Sequence, residues 1–488
     1  MNKLLYAALI LAGSLAFSSC QKSISDEPGN PTDTTTTPPS MSDLLKDSIY
    51  LFTKEVYLWH EVLPSYDVFN PRQFKAATDL EAAQNEMDAL RAYEPNDRYS
   101  FVTTKEESDG LQTGSDKDLG FNILPAYADL VAPLDSVRWY VEYVYKNSPA
   151  GKAGIQRSWY INKINGTQIS NDKASIDILN EIFFGATTSA SFEFIAPGDS
   201  IANINLSKSS YIANSVLYQS VLSDGTNKVG YFVFNQFFGQ PSRDELANVF
   251  NFFQSSGITD LVVDLRYNHG GSTETQDTLA NLIAPLAANN QKMYQYIYND
   301  SLQAGNFPLL KLKGFPDDNT LFKPENWTVT YEKAGSLNLP RVFFIVSRES
   351  ASASELLINN LRPYMDVKLV GDTTYGKPVG FFPIDIYDYS IYPISFKTVN
   401  SAGSADYYDG FAPDKLMADG IWYNWGDTQE YCLATALNYI STGSFGRKAN
   451  LSDAKTRQMY SLQKQLEPGR KKIAQNKFSG MFVEKNIK

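Results

Sequence analysis

From about Tyr211 to Thr442 the chain alternates short apolar runs with stretches of helical spacing. Val229 to Phe234, Leu261 to Leu265, Val342 to Val346 and Val367 to Val370 read as strands. Arg243 to Phe253, Glu274 to Ile283 and Glu355 to Leu361 lie between them with helical spacing. Such alternation predicts a mixed α/β class, with a largely parallel sheet covered by helices. Asn289 to Pro340 interrupts the pattern. It is too long for a structureless connection, so it is expected to hold strands of its own or to cover a site.

The chemistry gathers where these strands end. Val342-Phe343-Phe344-Ile345-Val346 leads into Ser350-Ala351-Ser352-Ala353-Ser354-Glu355 and then a helix. A serine at such a turn points toward a helix N-terminus, whose free N–H groups favour a developing negative charge. Its hydroxyl needs a base. Lys377, in Thr374-Tyr375-Gly376-Lys377-Pro378-Val379-Gly380, can be that base if burial lowers its pKa. In a parallel sheet the two loops emerge at the carboxyl ends of neighbouring strands, where sites of open α/β sheets sit. Ser352-x-x-Glu355 equally fits a helix capping box, so spacing alone leaves both readings open. Val263-Asp264-Leu265-Arg266-Tyr267-Asn268-His269-Gly270-Gly271-Ser272 ends a strand in two glycines before a helix. That suits an oxyanion hole or a plain tight turn.

In this order, Asp264-Leu265-Arg266 with Asn268 and Gly270-Gly271, then Ser350 to Glu355, then Gly376-Lys377, resemble the S41 family of serine peptidases, the carboxyl-terminal processing or tail-specific proteases. The resemblance implies a protease core of the ClpP/crotonase-like type, with Ser352 as nucleophile and Lys377 as general base. It implies an oxyanion hole from the Ala353 N–H with one from Gly270 or Gly271, and a supporting place for Glu355. Leu119-Gly120-Phe121, Ser148-Pro149-Ala150 and Ala153-Gly154-Ile155 resemble a PDZ domain, in which Leu119, Gly120 and Phe121 would help capture a peptide C-terminus by strand addition. The chain departs from the family where Ser158-Trp159 replaces a usual Gly-Asp. It departs again at Pro363, where some members carry an acid, and at Pro378 and Gly380 after the lysine. Ser170-Asn171-Asp172-Lys173 and Ser452-Asp453-Ala454-Lys455 fit Ser-x-x-Lys but lack its companion motifs. His269, beside the glycines, is an alternative base. His60 is expected to be packed or at the surface.

The rest of the chain reads as context. Residues 1–19 resemble a bacterial lipoprotein signal ending at a lipidated Cys20, and 20–40 form a polar tether. A helical unit is expected over 41–113, the PDZ-like unit over 114–208, the protease core over 209–444 and a basic tail over 445–488. That tail carries +8 against a total of −11, leaving −19 elsewhere. An acidic body argues against a nucleic-acid partner. The tail is expected to be solvated and partly helical. Two cysteines and two histidines argue against a Cys/His zinc site, and no cofactor or metal is expected. The expected function is a lipid-anchored serine endopeptidase of the cell envelope acting on extended or unfolded polypeptides. The alternative is a non-catalytic peptide- or ligand-binding lipoprotein on the same scaffold.

Overall fold

The computed structural model describes residues 38–128, 136–223, 226–446 and 480–484, with the single residues 458, 461 and 466. The expected signal segment, Cys20, most of the tether and the Ser452 to Lys455 motif lie outside the described residues. Met41–Lys488 forms one compact unit.

Leu45, Ile49, Phe52 and Val56 share a face of α1 (Met41–Val56), and Ala83, Met87 and Leu90 a face of α2 (Asp79–Arg91). Both faces are buried in the same apolar core as the main sheet, so this region has no core of its own. β1 (Phe101–Thr104) breaks the helical unit expected over 41–113, because it pairs antiparallel with Tyr389–Tyr392. The capped helix α3 (Lys105–Thr113) follows.

A separate antiparallel sheet comes next. After β2 (Ser115–Asp118), which pairs with Ser209–Ile212 instead, its elements are β3 (Phe121–Tyr127), β4 (Val137–Val144), β5 (Tyr160–Ile164), α4 (Lys173–Phe184), β6 (Ser189–Ala196) and β7 (Ser200–Ser207). The order is β3-β4-β5-β6-β7, over a private core that includes Phe121, Trp139, Leu179 and Phe194. The Asn165-Gly166 pair turns the chain with both residues in left-handed backbone, φ 49° and 81°. Ser158 is also left-handed, at φ 76°. A side chain there is strained, so Ser158→Gly is expected to raise stability by about 0.5–1 kcal/mol. A higher urea midpoint with unchanged slope checks this.

The α/β part begins with β8 (Ser209–Ile212), β9 (Val216–Ser223), β10 (Lys228–Phe234), α5 (Gln240–Ser256), β11 (Asp260–Asp264), β12 (Gly270–Ser272) and α6 (Thr273–Ile283). It continues through β13 (Lys292–Tyr298), β14 (Thr328–Thr330), β15 (Arg341–Val346), α7 (Ala353–Leu361) and β16 (Asp366–Gly371). Then come β17 (Val379–Phe381), β18 (Ile384–Ile386), β19 (Tyr389–Tyr392), β20 (Phe396–Asn400), β21 (Lys415–Leu416), α8 (Tyr431–Thr442) and β22 (Gly480–Phe482). The main sheet has the order β9-β10-β11-β15-β16-β21 and is parallel except for β9. Alternate residues face different cores. Phe232, Val263, Phe344 and Leu369 pack with α5, α6 and α7, whereas Tyr231, Val262, Phe343 and Val370 pack with α8. Burial on both faces explains why these runs hold so few polar residues.

A second sheet has the order β12-β22-β17-β20-β13-β14. Its β13 and β14 are the strands expected within Asn289 to Pro340. Its β22 corrects the expectation of a solvated, partly helical tail at residues 480–484. Gly480, Met481, Phe482 and Val483 are buried, and Leu466 packs against Tyr127 and Val137. The apolar run Met481-Phe482-Val483 drives this burial against the basic character of the segment.

Candidate active site

The loops after β15 and β16 leave adjacent parallel strands at the same end. The first carries Ser352 with φ 59° and ψ −107°, a conformation a non-glycine residue holds only when its surroundings impose it. Ser350 Oγ donates to the Leu265 carbonyl at 2.7 Å, and Ser354 Oγ to the Asn268 carbonyl at 3.2 Å. The Ala351 N–H donates to the same Asn268 carbonyl at 3.1 Å. The outer serines of the run thus pin the turn. The middle one makes no side-chain cap bond, and its buried Oγ has no hydrogen-bond partner among the described residues.

Glu355 joins the two loops. Its Oε2 accepts the N–H of Ser352 at 2.9 Å and of Lys377 at 2.8 Å. Its Oε1 accepts the Gly376 N–H at 2.7 Å and the Thr374 hydroxyl at 2.5 Å. Burial pushes its pKa up, and these donors oppose the shift. Glu355→Gln would set an amide NH2 against donors on one side of this junction. Turnover is expected to fall about 10–100-fold through kcat rather than KM, measured by steady-state kinetics.

Lys377 is fully buried. Its Nζ lies 4.2 Å from the Phe381 ring centre and 4.6 Å from that of Tyr99. Burial drives its pKa well below the ordinary lysine value, while the Asp97 and Glu355 charges pull the other way. Tyr99 is fixed by its hydroxyl, which donates to the Gly376 carbonyl at 2.7 Å. Asp97 accepts the N–H groups of Tyr99 and Ser100, each at 2.9 Å. The turn around Asp97 thus walls the lysine. Nothing in the local sequence links Tyr99 to a loop nearly 280 residues on; the one hint is an aromatic set directly after an Asp turn.

Gly270 and Gly271 take φ 104° and 135°. A Cβ on Gly270 would lie 3.0 Å from Ser352 Cβ, so only glycine lets this backbone pass. The Gly270 N–H donates to Asn268 Oδ1 at 2.9 Å. Ala353 opens α7, and its N–H is one of the first-turn groups that have no intrahelical partner.

Arg266 serves the scaffold. It binds Asp264 at 2.7 Å, Asp419 at 2.8 Å and Glu430 at 2.9 Å, all buried or nearly so. Arg157, from the separate sheet's unit, reaches the same Asp419 at 2.6 Å and lies 4.1 Å from the Trp425 ring centre. His269 Nε2 lies 3.7 Å from Glu349 Oε2, and His60 Nε2 bonds Asp300 at 2.7 Å at the surface. Ser170 Oγ donates to Asp172 at 2.8 Å beside the start of α4. Leu119 and Phe121 are buried in the separate sheet's core. Gly120 gives its N–H to Asp118 at 2.6 Å and accepts the Tyr145 N–H at 2.9 Å. β3 is an edge strand of that sheet.

Residues 228–415 match Peptidase family S41. A Staphylococcus aureus (strain bovine RF122 / ET3-1) protein described as a CtpA-like serine protease is 23% identical over 314 residues, 64% of this chain and 55% of that protein. A Staphylococcus saprophyticus protein of the same description is 22% identical over 357 residues, 72% of this chain and 64% of that one. The matches thus span little more than half the length of these relatives. A Bacteroides fragilis NCTC 9343 crystal structure described as an S41 protease has the same fold, with a TM-score of 0.62 at 23% identity, covering 81% of this chain and 97% of that one. Fold and matches together define a peptidase-type α/β core. Residues 228–415, less than half of the chain, thus resemble peptidase family S41 in sequence.

Proposed function

We propose that this chain is a serine endopeptidase that cleaves extended or unfolded polypeptides, with Ser352 as nucleophile and Lys377 as general base. The observation that carries the reading is the Glu355 carboxylate, which holds the N–H of both residues at once. The Ser352 proton passes to the neutral Lys377 amine as Oγ bonds to the substrate carbonyl carbon. The developing oxyanion takes the Ala353 N–H with one from the Gly270-Gly271 turn. The lysine then returns the proton to the leaving amine, and water cleaves the acyl-enzyme by the same route. Glu355 positions both groups and moves no proton.

The unit around β3 is proposed to be PDZ-like, taking a peptide along its open edge beside Leu119, Gly120 and Phe121. Lipidation at Cys20 and a place in the cell envelope complete the reading. Among the described residues no helix is long and apolar enough to cross a membrane.

Incubation with casein-like unfolded protein tests the proposal. The intact chain should produce fragments; Ser352→Ala should produce none and melt at the same temperature. Activity should rise with pH and level off well below the ordinary lysine pKa of about 10.4, because only the neutral amine accepts the proton. One observation favours a second reading, a peptide-binding protein without turnover: Ser352 Oγ makes no hydrogen bond to the lysine. Peptide binding by the intact chain with no cleavage at any pH would establish that alternative.

A further inference from the structure

β22 lies in the middle of the second sheet, far along the chain from its neighbours. It pairs in parallel with β12, placing Gly480 opposite Gly270 and Met481 opposite Gly271. On its other side it pairs in parallel with β17, placing Met481 opposite Gly380. β12 carries the glycine turn, and β17 begins two residues after Lys377. The strand therefore fills the slot between the two segments that carry the proposed oxyanion donors and base.

The fit is tight at one residue. The Gly480 N–H donates to the His269 carbonyl at 3.0 Å. A Cβ on Gly480 would lie 2.7 Å from Lys377 Nζ and 2.8 Å from the Phe381 ring. A Cβ on Gly270 would lie 2.6 Å from the Gly480 carbonyl oxygen and 3.0 Å from Ser352 Cβ. The Gly480 peptide thus stands where a polypeptide chain would have to pass between Ser352 and Lys377. Met481, Phe482 and Val483 are buried beyond it.

The strand ends in an ionic latch near the surface. Glu484 Oε1 takes the Arg243 guanidinium at 2.5 Å and the Ser272 hydroxyl at 2.7 Å. The Glu484 N–H donates to the Glu274 carboxylate at 3.2 Å, which also sets two like charges side by side. Both latch side chains keep about a fifth of their surface exposed, 20% for Arg243 and 23% for Glu484. A latch of this kind is open to competition from water and from other carboxylates.

We infer that the slot between β12 and β17 is a peptide-binding groove for an extended segment of the pattern small–apolar–apolar–apolar–acidic, and that Gly480 to Glu484 is a tethered occupant competing with incoming polypeptide. The pattern is read from the groove. Lys377 and Phe381 leave no room for a side chain at the first position, and Arg243 asks for a carboxylate at the fifth. Strand addition supplies the affinity, and these two ends supply the selectivity. The catalytic meaning of the groove rests on the proposed function; its occupancy does not, and binding alone tests it.

The probe is a fluorescein-labelled, N-acetylated Gly-Met-Phe-Val-Glu peptide, followed by anisotropy against full-length chains carrying Ser352→Ala. Adding Glu484→Ala should tighten binding at least about tenfold, because the tethered competitor loosens. A peptide with valine for its glycine should bind at least about tenfold more weakly than the parent. Gly480→Val in the chain, which leaves the latch residues intact, should open the groove to the same degree. With Ser352 present, Glu484→Ala should cleave casein several-fold faster than the intact chain. Unchanged peptide affinity in both variants would overturn the inference. So would loss of the cooperative melting transition in both, which would make the strand a fixed part of the core. Peptide binding without turnover in any chain would uphold the groove and sink the protease reading. Turnover unaffected by either variant would do the reverse.

Discussion

Lys377→Met is expected to cut turnover by at least about 10³-fold while the melting transition holds or rises. The two effects share one cause. A fully buried amine among aromatic rings is costly to charge, which lowers its pKa well below the ordinary lysine value and suits the proposed role as a base. The sign of the linkage follows. The unfolded chain binds a proton at this lysine up to about pH 10.4, and the folded chain releases it earlier, so the lysine weakens folding at neutral pH and less so as pH rises. Methionine fills a similar space without that cost. Steady-state kinetics with thermal melting at pH 7 checks both halves. A variant that loses activity by unfolding, or keeps a tenth of it, contradicts the role given to Lys377.

Arg266→Met should have the largest effect on stability, a loss of about 3–5 kcal/mol. The guanidinium is enclosed by Asp264, Asp419 and Glu430, and removing it leaves buried carboxylates against one another. Asp419 keeps Arg157 as a partner, so the loss stops short of abolishing the fold. The same network predicts acid sensitivity in the intact chain. After burial, which works against ionisation, Arg157 and Arg266 hold the Asp419 pKa down to about 2. Its folded value lies below the unfolded one, so its contribution is present above about pH 4 and lost as pH falls toward 2. Urea unfolding at pH 7 and at pH 3 measures both. A loss of unfolding free energy under about 1 kcal/mol in Arg266→Met would show that the network contributes little.

The main sheet was legible because its strands are long enough, and buried enough, to write continuous apolar runs. Val342 to Val346 and Val367 to Val370 were expected as strands and fall within β15 and β16. The helices between them were legible for the same reason. The second sheet was not. β12, β17 and β22 are three residues each, and the pairings of β22 with the other two bridge about 100 and 210 residues, so no local pattern marks them. β1 was hidden in the same way, since its partner is nearly 290 residues on.

At the site, the sequence named Ser352, Lys377 and Glu355 but not what surrounds them. Spacing could not decide whether Ser352 caps its helix; in the structure Glu355 takes the Ser352 N–H while the hydroxyl stays uncommitted. Asp264-Leu265-Arg266 stood out as a motif, yet Arg266 points into a buried ionic cluster rather than toward a substrate. Tyr99 and Gly480 reach the lysine only through the tertiary fold. The basic composition of the tail masked the apolar run that seats β22.

The most direct test is covalent labelling with a fluorophosphonate, mapped by tandem mass spectrometry, on the intact chain, Glu484→Ala and Lys377→Met. One adduct is expected, on the residue 352 hydroxyl, forming faster as pH rises and levelling off well below the ordinary lysine pKa, with essentially none in Lys377→Met. An adduct elsewhere, or labelling that proceeds equally well without the lysine, would contradict that expectation.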